Sequence, residues 1–285
     1  MIKAILTILT VGFFSLSHAQ DKALLYEVTG KGLAEPSYLY GTFHLVCPTD
    51  LQVTDAARKA MGSSKQLYLE LDFDDPGMHA NLMKSMMLTG GKSLKELMKP
   101  TDYATVDGYL VQNMGVGLTQ FGNLKPFALL SFMFVTMLKC EPVSYDLAFA
   151  QMAGKDKKEV LGLETIEEQL AALDKIPLDE QIKSLVDMVN QPDEAKKELM
   201  DLITAYKAQD LPALMKLMRD SKFDGESSKI EEELLEKRNT NWIPLIEKAA
   251  QSKATFFAFG AGHLAGDKGV ITLLRQKGYT VKAVQ

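Results

Sequence analysis

Apolar residues fall into two patterns along this chain. Short apolar runs of strand length occupy the first and last thirds, and apolar positions at helical spacing fill the centre. Lys22 to Thr29 reads as a strand, Gly30 to Pro36 as a turn, and Tyr38-Leu39-Tyr40 as a second strand. Asp50 to Met61 has helical character, with Thr54 or Asp55 placed to cap it. Gln66 to Leu71 returns to strand. Its alternation puts Leu67, Leu69 and Leu71 on one face, and Tyr68 and Glu70 on the other. From Pro76 onward the chain is predicted helical, and Ser93 and Glu96 have capping-box spacing. Pro126 to Leu138 is almost continuously apolar, which predicts a helix buried on most sides. The methionines here and at Met83, Met86 and Met87 read as core, with an adaptable peptide groove as the alternative.

Lys158 to Leu161 is a short strand candidate ended by Gly162. Thr165 to Ala250 predicts a long helical array, cut into separate helices by Pro177, Pro192, Pro212 and Gly225. Strand character resumes at Ala254 to Phe259. A helix is predicted over Lys268 to Gln276 with Asp267 as its N-cap, and Tyr279 to Val284 closes as a strand. No fixed-period repeat is present. The fold class is therefore α/β: a central mixed β-sheet built from the N- and C-terminal thirds, with a large helical middle covering the site.

Composition narrows the setting. In residues 1–19, Lys3 precedes an apolar run from Ile5 to Leu16, and Ser17-His18-Ala19 supplies small residues for cleavage before Gln20. This is the pattern of a secretory signal peptide, and its apolar run is too short to span a bilayer. Residues 20–285 then form a single exported domain, periplasmic or extracellular, with no membrane span. With 32 Lys and Arg against 37 Asp and Glu, the chain is mildly acidic, which argues against nucleic acid as a partner. The two cysteines, Cys47 and Cys140, are able to form one disulfide in an oxidising compartment; two separate buried thiols are the alternative.

The chemistry centres on an echo between the two strand-bearing ends. Tyr40-Gly41-Thr42-Phe43-His44-Leu45 and Phe259-Gly260-Ala261-Gly262-His263-Leu264 both read aromatic-Gly-x-x-His-Leu, and both follow a predicted strand. Glycine permits a sharp turn or a close backbone approach. Histidine three residues on sits at a strand's carboxyl end, where open α/β sheets bind ligands. Only four histidines occur: His18 in the leader, His79 as a surface or core-satisfied residue, and these two. The bland reading is a pair of turn histidines satisfying backbone groups. The sharper one is a facial set of His44, His263 and Glu70 around a divalent metal, with positions left open for water or substrate. Without a metal, a histidine serves as general base to water. No Gly-x-Ser-x-Gly elbow is present, and no phosphate-cradling Gly-rich loop precedes a helix.

These residues carry a resemblance across nearly the whole chain. The chain resembles the TraB/GumN family, which includes the Tiki proteins. Gly41-Thr42-Phe43-His44 matches the family's Gly-Thr-x-His, and Tyr68-Leu69-Glu70-Leu71-Asp72 its glutamate-bearing strand. Lys125-Pro126, Asp146, Gly162-Leu163-Glu164-Thr165 with Gln169, Arg238-Asn239 with Trp242, and Gly260 to Gly266 follow in order. The resemblance implies an α/β fold related to the erythromycin-esterase and ChaN-like group. It also implies a metalloprotease-like activity in which His44, Glu70 and His263 are required, with manganese or cobalt favoured as cofactor and zinc a further fit. Glu70 is left open as third ligand or as the base for water. Asp146 is placed to join the metal's surroundings, to hold a histidine in its tautomer, or to cap a helix. Arg238 and Asn239 are candidates for substrate positioning, with a surface ion pair as the plain alternative. Glu164 points into the site, caps a helix or lies in a solvated turn. The expected partner is a peptide or small-molecule substrate. A non-catalytic binding protein that sequesters a peptide or small signal, and a metal-free histidine-dependent hydrolase, are the competing functions.

Overall fold

The computed structural model describes residues 22–73, 75–223 and 227–285, so the leader and Gly225 lie outside the described residues. Six strands form one sheet: β1 (Leu25–Thr29), β2 (Ser37–Thr42), β3 (Gln66–Leu69), β4 (Glu159–Gly162), β5 (Thr255–Gly260) and β6 (Thr280–Ala283). Their order is β4-β3-β5-β2-β1-β6. The four strands from β4 to β2 run parallel, and β1 and β6 run antiparallel at the other side. The sheet is thus mixed, with one departure from expectation. Its edge strand β4 comes from the helical middle and not from either terminal third.

β5 is the pivot of the sheet. It reads Thr-Phe-Phe-Ala-Phe-Gly, and all but its last residue are buried, as expected of a parallel strand covered on both faces. Phe256 meets Phe149 of the helix Tyr145–Lys155, with ring centroids 5.0 Å apart. Phe259 lies three residues on and so faces the other way. It meets Trp242 of the helix Lys237–Ser252 at 5.6 Å. β5 inserts between β2 and β3 although the chain visits those two strands much earlier. The carboxyl ends of β2, β5 and β3 are thereby brought side by side.

Helices Pro100–Met114, Pro126–Leu138, Leu178–Asn190 and Pro192–Lys207 build a second apolar cluster around Val106, Leu110, Leu129, Met133, Leu185 and Leu199. Phe43 packs against both this cluster and the sheet's core. Helix Pro126–Leu138 is only half buried: Ala128, Leu129, Met133 and Met137 face inward while Ser131 is exposed. Methionine divides the same way, with Met133, Met137 and Met188 in the core and Met83 and Met87 exposed. The last helix begins at Val270 with Gly269 as N-cap, so Asp267 does not cap it. Thr54 caps the helix Asp55–Ser63, its side chain accepting from the Ala57 N–H. Cys47 and Cys140 are joined by a disulfide. Next to it, Val46 and Val143 exchange backbone hydrogen bonds of 3.0 and 2.8 Å. The loop after the first histidine is therefore fixed to the segment that leads into Asp146. No helix among the described residues is long and apolar enough to cross a membrane.

Candidate active site

The two Gly-x-x-His segments lie against each other at the ends of neighbouring parallel strands, with Gly41 in register with Phe259 and Thr42 with Gly260. Their glycines are required for approach rather than for turning, since neither has a positive φ. A Cβ on Gly41 would stand 2.7 Å from Leu264 Cδ1 and 3.0 Å from Ala261 Cα. A Cβ on Gly260 would stand 3.2 Å from Glu70 Oε1, 3.4 Å from His44 Nε2 and 3.6 Å from His263 Cδ2. Gly260 therefore marks the small space on which the three candidate groups converge.

Each histidine is oriented from behind. His44 Nδ1 lies 2.9 Å from Asp146 Oδ2. Asp146 is itself held by Thr42 Oγ1 at 3.0 Å and Ser144 Oγ at 2.9 Å. His263 Nδ1 lies 2.7 Å from Asn239 Oδ1, and Asn239 Nδ2 donates to the Lys268 carbonyl at 2.9 Å. That second bond fixes the amide, so the Nδ1 of His263 carries the proton and its Nε2 is a lone pair. Both Nε2 atoms face the same carboxylate oxygen, Glu70 Oε1, at 3.7 Å from His44 and 3.8 Å from His263. Oε1 also accepts the Gly260 N–H at 2.7 Å.

The other oxygen of Glu70 belongs to a second network. Oε2 accepts from Arg238 Nη2 at 2.5 Å and from Gln169 Nε2 at 3.1 Å. Arg238 also donates to Glu164, from Nη2 at 2.6 Å and from Nε at 3.1 Å, and Trp242 Nε1 donates to Glu164 at 3.1 Å. The guanidinium rests over the Trp242 ring, and its Nη1 lies 3.1 Å from His263 Nε2 and 2.8 Å from the Leu234 carbonyl. Leu234 belongs to a π-helical segment, Glu232–Glu236, that ends two residues before Arg238. Such segments occur often at functional sites.

Charge follows from these contacts. Burial alone would raise the Glu70 pKa, but Arg238, the two imidazoles and the Gly260 N–H hold it well below the usual carboxylate range. Burial raises Glu164, with Arg238 and Trp242 opposing it. Burial lowers His263 to about 3, and Arg238 beside it works in the same direction, so this ring is neutral. For His44, whose side chain is largely open to solvent, partial desolvation works downward, but the Asp146 carboxylate and Glu70 outweigh it and raise the ring to about 9. The His44 ring is 62% exposed and the His263 ring 4%.

Among the described residues, no group of three or more His, Cys, Asp and Glu side chains stands ready-made around a metal position. The donors are nonetheless of the right type: two imidazole Nε2 atoms, that of His44 once deprotonated, and a carboxylate oxygen converge on a space that is tight for a methyl group. What interrupts them is Arg238, whose Nη1 occupies the lone pair of His263.

Of the residues singled out in the sequence, His44, Glu70, His263, Asp146, Glu164, Arg238 and Asn239 all meet here. Three of them do so in ways the sequence left open. Asp146 orients His44 while Ser144 takes the N-cap. Arg238 is buried at 11% exposure and is no surface ion pair. Asn239 is buried, and its Oδ1 faces the Nδ1 of His263. Lys125 pairs with Asp174 instead of joining this network. Of the supports for Asp146, Thr42 is the threonine of the Gly-Thr-x-His match, while Ser144 had no sequence signal beyond lying near a motif residue.

This is an α/β protein with two histidines and a glutamate gathered at the carboxyl ends of its parallel strands. The chain belongs to the TraB/PrgY/gumN family, whose model matches residues 24–283. Its curated relatives include "Metalloprotease TIKI2" of Xenopus tropicalis, 27% identical over 87% of this chain and 57% of the relative. "Metalloprotease TIKI1" of Danio rerio is 24% identical over 87% of this chain and 60% of the relative, and that of Homo sapiens is 24% identical over 87% and 59%. The chain spans about three fifths of the length of these relatives. No solved structure matches it, so the expected likeness to the erythromycin-esterase and ChaN-like group has no structural neighbour behind it.

Proposed function

We propose that this chain is an exported metal-dependent hydrolase acting on peptide bonds. One observation carries the reading: the Nε2 atoms of His44 and His263 face one oxygen of Glu70 around the space at Gly260. The names of the relatives, all metalloproteases, supply the reaction class. His44, Glu70 and His263 would hold the ion once Arg238 withdraws from His263. A divalent ion held there would supply Lewis acidity, enough to make a water nucleophilic at neutral pH. Manganese or cobalt is the expected ion, and zinc also suits the donors.

The chain's own residues do the rest. Asp146 and Asn239 fix the two rings so that both Nε2 atoms point inward, and that of His44 would give up its proton to hold an ion. Glu70 is so strongly held in its ionised form that it is a poor acceptor for water's proton, which favours the ligand role over the base role. Arg238, if freed from His263 while still paired with Glu164, would be the cation available to negative charge developing on the carbonyl oxygen. In hydrolysis the C–N bond breaks, the carbonyl carbon gains the water's oxygen, and the amine leaves with a proton.

The test is metal content and peptide turnover of the purified protein beside the His44→Ala, His263→Ala double variant, after incubation with manganese, cobalt and zinc. About one equivalent of metal in the wild type, none in the variant, and turnover abolished by chelator are expected. Metal in neither protein would end this reading. Binding of peptides without turnover would then point to a sequestering protein. A metal-free hydrolase using His44 as base would show an alkaline optimum, because Asp146 keeps that ring charged up to about pH 9.

A further inference from the structure

The space in front of the site is asymmetric in both access and chemistry. A cavity of about 370 Å³ opens beside His44 and Glu70, with Asp146 and Gln169 also on its lining. This is at the lower end of pockets that hold small ligands, enough for a few residues of extended chain and not for a folded surface. The remaining lining is apolar: Leu45, Leu71, Phe73, Pro142, Val143 and Leu147, with Ser144 between the last two.

Access is from one side. His263 and Arg238 are closed in beneath Trp242, while His44 is open to the cavity. A bond brought to the three converging groups must arrive over His44, so the residue next to that bond lies along the apolar wall. The wall is also held in place. The disulfide of Cys47 with Cys140 and the Val46–Val143 bridge fix Leu45, Pro142 and Val143 relative to one another. Leu147 sits in the first turn of the helix Tyr145–Lys155, one residue after the His44 partner Asp146. It is 46% exposed, a large apolar side chain left facing solvent at the cavity mouth. A preformed apolar wall loses little entropy when a side chain docks on it.

We infer that this cavity is the subsite for a large aliphatic or aromatic side chain of a peptide substrate, directly beside the bond to be cut, with Leu147 setting the preference. The inference rests on the peptidase reading. Removing several methylenes from the substrate's side chain, as from leucine to alanine, is expected to lower kcat/KM by tenfold or more.

The experiment is cleavage of a peptide mixture randomised around a central bond by the metal-loaded protein, with products read by mass spectrometry. One flank of the cut bond is expected to favour Leu, Ile, Met and Phe over Ser and Asp by at least about tenfold, with the other flank broad. Leu147→Glu is expected to abolish that preference or move it toward Lys and Arg. A uniform profile, or a preference indifferent to Leu147→Glu, overturns the subsite. If no peptide is cut, the hydrolase reading fails and binding decides the subsite separately. Leucine methyls of the labelled protein would be followed by NMR while N-acetyl-leucine methylamide or N-acetyl-serine methylamide is added. Shifts at Leu45, Leu71 and Leu147 with the leucine compound alone uphold it. Equal responses, or none, overturn it.

Discussion

Arg238 does at this site what a metal ion would do. It bridges Glu70 and Glu164 and fills the lone pair of His263. Replacing it by glutamine leaves two buried carboxylates close together without a cation. Breaking a buried pair in this way costs about 3–5 kcal/mol. Arg238→Gln is therefore expected to lower the stability of the metal-free protein by that order in urea denaturation. A divalent ion can substitute for the missing charge, so added manganese or cobalt should raise the melting temperature of the variant more than that of the wild type. Equal shifts would mean that arginine and metal do not compete. Behind His44, Asp146→Asn keeps a hydrogen-bonding group of the same shape but removes the charge. Supports of this kind are worth about 10–100-fold in metal affinity, which isothermal titration would measure. Gly260→Ala is the stricter variant, because its Cβ enters the converging space itself. It should abolish metal binding while far-UV circular dichroism stays native.

Between elements, the critical surface is where the end of β2 lies on the second histidine segment. Gly41→Ala drives a Cβ against Leu264 and the Ala261 backbone. Overpacking of this kind costs about 1–3 kcal/mol, measurable by urea denaturation. Adding Leu264→Ala should recover only part of it, because Ala261 Cα remains 3.0 Å away. The same surface shows what a sequence can and cannot display. Every strand was legible from its apolar run, because each strand's burial is written in its own residues. Glu70 and both histidines were legible as candidates because they follow such runs. The insertion of β5 between β2 and β3 was not, since strand order is set by pairing across the whole chain. The partnerships Asp146–His44 and Asn239–His263 were likewise invisible as pairs, because nothing local marks which buried imidazole a distant Asp or Asn will meet. The motif glycines were legible as special, with a turn and a close approach both open, and at Gly41 and Gly260 it is the close approach that requires them. A turn and a close approach leave the same residue type behind.

For the whole molecule, the two histidines give the metal-free protein opposite responses to pH. An unfolded histidine titrates near 6.5. Folded His263 titrates at about 3, so between about pH 4.5 and 6.5 the unfolded chain takes up a proton there that the folded chain refuses. Acid should then destabilise the protein by about 1.4 kcal/mol per pH unit for that one proton. Below this window Glu70, held low in the fold, adds to the loss in the same direction. Folded His44 titrates at about 9, so between about pH 6.5 and 9 the folded chain keeps a proton the unfolded chain gives up. Stability from this group is present below 6.5 and declines as pH rises toward 9. Its exposure to solvent makes this alkaline slope the shallower of the two. The metal-free protein should therefore be most stable near pH 6.5. Urea denaturation across pH 4.8 to 8.5 would trace both limbs, with His263→Gln flattening the acid one and His44→Gln the alkaline one. A stability that kept rising past pH 7 would show that Asp146 does not hold His44 in its charged form. The orienting role assigned to that carboxylate would then have to be given up.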